Sequence, residues 1–419
     1  MEPHGLAYCF DNLYKILSFW GVISFGLKST QQKGSSTTAK RLILSWCIRC
    51  LFISGFLSGV LIKRLDTEMS YAMFNHISPV VKAIFSWEYL SCIITYVEFC
   101  LSMDLRHHRH IEFLHKLQQL DLPISQEFPQ VKWHYQKTQL KYWYGTILVG
   151  ICYLTLSILL IFDLTKCSCG LFSTLLIATC YSLITSSLGL LGIVHIAIMD
   201  YLRLRLRLTQ KLLKQTYQAH TNHATTYLHS KIFILIKFNR RLSDLVIKFN
   251  AVFSFVAAAG IFYDFTLMIC FVYVVCQKIV AKQFWDAEYA FMILLLSLHS
   301  YKVIIACSYG YLLKREQANS MHLLSQFDRH FKHNLLVRGQ AEIIQHWQLH
   351  NNHIRAIIGS TLPCNIYMIY IVYNGIANYV IILVQLLFQQ LQINGPIIVN
   401  QEVEIIQPLD PLTHQAVNL

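Results

Sequence analysis

The chain has 419 residues, 55% of them hydrophobic and only 14% charged, with a mean hydropathy of +0.43. Soluble domains carry roughly 25% charged residues, so a string of soluble domains is excluded and a polytopic membrane protein is indicated. The net charge of +13 does not point to nucleic acid as a partner, because the Lys and Arg residues gather beside the apolar runs.

Residues 1–41 read as a cytosolic N-terminal segment. The stretch 10–27 is apolar but broken by Asp11 and Lys15, and no small-residue cleavage site follows it. It predicts an amphipathic interfacial helix rather than a signal peptide. Seven segments then meet the requirement of about 20 mainly apolar residues. They are 42–62, 79–103, 142–162, 171–199, 251–280, 287–313 and 362–391. Spans one to four occupy 42–199 and spans five and six 251–313. Span seven, 362–391, is followed by a tail, 392–419.

Basic residues set the orientation. Twenty-seven of the 35 Lys and Arg fall on one side, in the N-terminal segment, the loop 106–141, the segment 200–250 and the segment 314–361. Five fall on the other side, and Arg49, Lys82 and Lys302 lie within spans. The N-terminus is therefore expected in the cytosol and the tail outside, opposite to a G-protein-coupled receptor. Arg106, His107, His108, Arg109 and His110 read as a solvated basic patch beside the membrane.

The segment after span four, Leu202-Arg-Leu-Arg-Leu-Arg-Leu208, alternates like a strand. Directly after a long span it reads better as a helix end with snorkelling arginines. Ile232, Leu235, Ile236, Leu242, Leu245, Val246 and Phe249 keep helical spacing into span five. Helices from 200–250 and 314–361 are thus expected to project below the bilayer. The whole chain is expected to be all-α.

The thirteen cysteines show no zinc-like pairing and no disulfide framework is expected; Cys167 and Cys169 lie in a short loop open to oxidation, but the Cys-Ser-Cys spacing is too tight to assume a mutual bridge. His346, His350 and His353 share a helical face without a Cys or acid in register, so no metal site is expected. No Walker motif, His-Glu-x-x-His or Gly-x-Ser-x-Gly is present, and neither an enzyme nor a cofactor is expected.

Span seven keeps amides in an otherwise greasy rod. At ~100° per residue, Asn374, Asn378, Gln385, Gln389 and Gln392 fall within about 60° of one another. Lipid penalises such a stripe, so it should face protein or water. Ile381 and Phe388 border it. Amides bonded to neighbouring helices are the ordinary alternative.

Residues 378–386 resemble the C-terminal signature of insect gustatory receptors, Thr-Tyr, five hydrophobic residues and Gln-Phe. Tyr379, Val380 to Val384 and Gln385 match, while Asn378 replaces Thr and Leu386 replaces Phe. The resemblance implies a ligand-gated cation channel of four subunits, homomeric or heteromeric with related receptors. Such a channel would sit in the plasma membrane of chemosensory neurons, on their dendrites. The seventh spans would surround the pore, with Asn374, Asn378, Ile381, Gln385, Phe388 and Gln389 lining it, and the cytosolic helices would form an anchor. Leu383, about 160° from Gln385, is expected to face lipid.

Each subunit would hold a small-molecule tastant in a pocket open to the outside. Glu88 beside Trp87, and Asp264 after Phe262 and Tyr263, place acids next to aromatics inside spans, with Tyr181 and Tyr289 as further lining. Such a mixture suits a polar or cationic ligand. The competing reading is an internal ion pair with Arg49, Lys82 or Lys302. A metabotropic seven-helix receptor and a secondary transporter are the alternative functions.

Overall fold

The computed structural model describes residues 5–25, 35–67, 79–166, 170–222, 226–280, 287–330, 338–339, 342, 356–358 and 362–394. Cys167, Cys169, the histidines at 346, 350 and 353, the side chain of Lys82 and the tail beyond Asn394 lie outside the described residues.

Helix α1 (Gly5–Phe19) places Phe10, Leu13, Tyr14 and Leu17 on one stripe, and all four are buried. The chain reverses at Gly21, whose φ of +71° is one that glycine adopts without penalty. Buried Arg49 holds the reversal, donating to the carbonyls of Gly21 (2.6 Å) and Val22 (3.2 Å). The expected interfacial helix therefore stops at Phe19. Its apolar stripe is spent on neighbouring helices, with Phe10 against the rings of Tyr142 (5.2 Å) and Tyr201 (5.8 Å).

Seven long helices follow the predicted spans. They are α2 (Ser35–Thr67), α3 (Pro79–Leu105), α6 (Tyr135–Lys166), α7 (Leu171–Asn222), α8 (Thr226–Val280), α9 (Ala287–His330) and α10 (Ile366–Asn394). Among the described residues, six are long and apolar enough to cross a membrane. Helix α3, 27 residues long, carries Glu88, Glu98 and Asp104 among its apolar residues. At 1.5 Å per residue the 52 residues of α7 and 55 of α8 extend about 80 Å, far beyond a bilayer core of about 30 Å. They project from the membrane, as their sequence suggests.

Helix α7 is the centre of the bundle, packed by α2, α6, α8 and α9. Helix α10 lies against α8 and α9. It begins at Ile366 rather than at 362, because Leu362–Pro363 (β2) pairs antiparallel with Ile357–Ile358 (β1). Proline disfavours helix in the residue before it. Asn365 then caps the new helix, its side chain accepting from the Met368 N–H at 3.2 Å.

The end of the bundle that carries the basic segments differs from expectation in two places. Short helices α4 (His107–Gln118) and α5 (Leu122–Glu127) fold the loop between spans two and three onto α8. His110 is buried there with its Nε2 2.8 Å from the Tyr14 hydroxyl, and burial pushes its pKa down to about 3. It is no part of a solvated patch. Arg205 does not snorkel either. It forks onto Asp121 (2.8 and 2.6 Å), stacks on Tyr201, Trp133 and Tyr135, and is buried. The α-helical period turns alternate arginines to different sides, so Arg207 meets Glu316 on α9 and Arg203 meets Asp200.

Candidate functional site

Two polar features interrupt the apolar helices. The first is a cluster inside the bundle. Glu88 on α3 is buried and accepts a hydrogen bond from Tyr181 on α7. Tyr181 packs edge-on against Tyr89 at 6.0 Å. Deeper along the helices, Asp264 on α8 meets Lys302 Nζ at 2.6 Å and His299 Nδ1 at 2.7 Å, both on α9.

An unpaired carboxylate at this depth costs several kcal/mol, and Lys302 offsets that cost. Of the three expected partners, Lys302 alone reaches the cluster among described side chains. Arg49 is committed to Asp104. His299 was not foreseen, although its i,i+3 spacing from Lys302 puts both on one helix face.

The Tyr263 ring lies 5.6 Å from the His299 ring. Its hydroxyl is buried against the Cys92 thiol, with no hydrogen bond of ordinary geometry among the described residues. A buried hydroxyl without a partner is the position at which a polar ligand group gains most. Below the Asp264–Lys302 pair, a cavity of ≈ 50 Å³ continues past Gly192 and His195 to Cys364, just before α10. It has room for about three or four waters.

Trp87 and Phe262 do not join the cluster. They are 43% and 63% exposed, because each precedes an inward residue and the helix turns ~100° between them. Tyr289 is half-buried at the start of α9, about 15 Å along the helix from His299. The acids and Tyr181 and Tyr263 are brought together, and the other three aromatics are not.

The second feature is on α10. Met368, Val372 and Ile376 are buried against the bundle, and Val380 and Leu383 pack on the same side. Gly375 admits the Phe265 ring, which a Cβ would meet at 3.0 Å. Asn374, Asn378, Ile381, Gln385, Phe388 and Gln389 are all exposed on the opposite side. Leu383 therefore faces its own bundle and not lipid, since α10 lies on α8 and α9 by the face opposite its amides. Tyr379 is 55% exposed with its ring 6.1 Å from Phe265.

This architecture is that of a multi-pass helical membrane protein. No family model matches the chain. It is 48% identical over 411 residues to the Drosophila melanogaster protein named "Putative gustatory receptor 47b", covering 98% of each. Two structures of the olfactory receptor OR5 from Machilis hrabei share its fold. The one in complex with eugenol has a TM-score of 0.64 at 12% identity, over 91% of this chain and 100% of that one. The other has 0.64 at 13%, over 90% and 97%. The chain belongs to the insect gustatory receptor family. It is a receptor and not an enzyme.

Proposed function

We propose that this receptor is one subunit of a tastant-gated, non-selective cation channel, with α10 lining the pore. The carrying observation is the amide face of α10, which turns away from every other described helix of its own chain. Four copies around an axis would convert that face into a wet, uncharged wall, in which amides replace part of an ion's hydration without trapping it. The N-terminus and the segments 200–250 and 314–361 lie in the cytosol, the latter two as the intersubunit anchor, and the tail lies outside. The receptor acts in the plasma membrane of a chemosensory neuron.

The cluster around Glu88, Tyr181, Tyr263 and Asp264 is the ligand site of each subunit. Because Lys302 already meets the charge of Asp264, the site offers hydrogen bonds and aromatic faces more than a bare negative charge. It suits a small polar ligand. The eugenol complex of a fold relative supports a small organic occupant.

The test is current from the heterologously expressed protein during a screen of tastants. Ligand-evoked cation current, abolished or altered by thiol reagents in Gln385→Cys, is the expected result. Uptake without current, or a response that requires G protein, would overturn the channel reading.

A further inference from the structure

Within the segment assigned to the anchor, α8 carries a charged face for which the receptor reading names no partner. Lys237, Arg240, Arg241, Asp244 and Lys248 return to one face of the helix, within about 100°. Four are exposed and Lys248 is half-buried. Helix α4 lies alongside and contributes Glu112 and Lys116. Between the two helices runs a groove of ≈ 510 Å³ lined by Lys116, Gln119, Arg241, Asp244, Ile247 and Lys248.

The charges of this groove are arranged around one point. Glu112 is 2.8 Å from Lys116 Nζ and 2.8 Å from Lys248 Nζ, and the two lysines hold its carboxyl down to about 2. Both ammonium groups thus converge on a single negative charge. Arg241 forms no ion pair among the described residues. Burial raises the Asp244 carboxyl, and the surrounding bases oppose that shift. Five bases on these two helices face two carboxylates, so the surface is short of negative charge.

Its position defines what supplies that charge. Arg106 donates to the carbonyls of Ala251 and Val252 at 3.3 Å, with its guanidinium 5.4 Å from the Phe255 ring. The apolar run of span five begins at Ala251, so Arg106 marks the membrane border. Lys248 is three residues from that border, about 4.5 Å along the helix, and Arg241 about 15 Å. A lipid with one phosphate at the surface would reach Lys248 and, beside it, Lys116. A ring bearing further phosphates would extend into the groove and meet Arg241 as well.

We propose that the α4–α8 groove binds the multiply phosphorylated headgroup of a phosphoinositide in the cytoplasmic leaflet. Lys116, Arg241 and Lys248 take the phosphates, and Glu112 is the internal anion they displace. Juxtamembrane basic clusters recognise such headgroups by charge, and this one adds a shaped recess. The lipid's leaflet rests on the cytosolic assignment of segment 200–250. The binding chemistry does not.

The experiment uses the full-length receptor in phosphatidylcholine nanodiscs, which offer added lipid on both faces and so make binding independent of orientation. Phosphatidylinositol 4,5-bisphosphate should be retained, by native mass spectrometry, in preference to phosphatidylserine. R241Q/K248Q should weaken it by about thirtyfold. E112Q should strengthen it, a gain that a merely damaged protein would not show. Equal retention of both lipids, full binding by R241Q/K248Q, or loss in E112Q would overturn the site. Soluble inositol trisphosphate binding as tightly as the lipid would overturn the membrane source. Glycosylation of an acceptor inserted near Gln218 would instead overturn the topology while leaving nanodisc binding intact.

Discussion

The Asp264 cluster and the amide stripe of α10 are both polar interruptions of apolar helices, yet they are solved in opposite ways. In the cluster the acids are met within the chain, Asp264 by Lys302 and His299 and Glu88 by the hydrogen bond from Tyr181. On α10 the polar groups carry no charge and turn away from the chain that bears them. A buried charge cannot wait for a partner, because the cost of leaving it unpaired falls on folding itself. An amide can wait. On the proposed reading, the cluster is internal architecture that a ligand enters, and the stripe is a surface that other subunits complete.

The sharpest break of that comparison is to remove one charge. Asp264→Leu leaves Lys302 unpaired inside the bundle and should cost about 3–5 kcal/mol, enough to abolish surface expression. Asp264→Leu with Lys302→Met should recover much of the loss. The measurement is the melting temperature of detergent-solubilised receptor, together with surface labelling. A single variant as stable as the parent would show that the pair does not form.

Much of this organisation was legible in the sequence. Long apolar runs place the helices, and amide spacing on span seven identifies its polar face before any coordinates. What the sequence hid were long-range pairings. Nothing near Arg205 announces Asp121, 84 residues away, and its Leu-Arg alternation suggests exposure. Acids next to aromatics suggested a pocket, but neighbours in a helix diverge by ~100°, so Trp87 and Phe262 turned outward. Leu383 lies on the side of α10 opposite Gln385, as helical spacing requires. That side meets α8 and α9, which helical periodicity alone cannot distinguish from lipid.

A second test addresses the junction where the two regions meet. A Cβ at Gly310 on α9 would stand 2.2 Å from the Cys364 carbonyl oxygen, just before α10. Gly310→Ala must push the start of α10 away, at about 1–3 kcal/mol. Reduced thermal stability is the first expectation. If the cavity ending at Cys364 links cluster to pore helix, surviving channels should also show a shifted ligand dose-response. An unchanged melting temperature would mean that the junction yields freely.

Acidification probes the packing of α4 on α1, where burial replaces pairing. The pKa of His110 is about 3 in the fold against 6.5 when free, so below 6.5 the unfolded chain takes up a proton that the folded one refuses. Stability contributed by neutral His110 is present above pH 6.5 and is lost as pH falls from 6.5 towards 3. At pH 6 the loss is on the order of 1 kcal/mol. The dependence should shrink in His110→Gln, measured as melting temperature against pH relative to the parent. A parallel pH profile in both proteins would assign the titration elsewhere.

The smallest effect on stability, and the most informative, is expected on the stripe. Gln385 contacts nothing that its own fold needs, so Gln385→Ala should change stability by no more than about 0.5 kcal/mol. Its effect belongs to permeation, seen as altered conductance or ion selectivity with ligand dependence kept. Gln385→Cys should react with small thiol reagents applied from outside, faster when ligand is present. Leu383→Cys is the internal comparison. It packs on its own bundle, so its slow modification would report burial in one subunit and not shielding by lipid. Asn378 lies two turns from Gln385 on the same face, about 10 Å away, and Asn378→Cys should share its ligand dependence. If Leu383→Cys and Gln385→Cys react alike, or permeation survives substitution of every stripe amide, α10 does not line the pore. The amides would then serve contacts between subunits, and the ion path would have to run elsewhere.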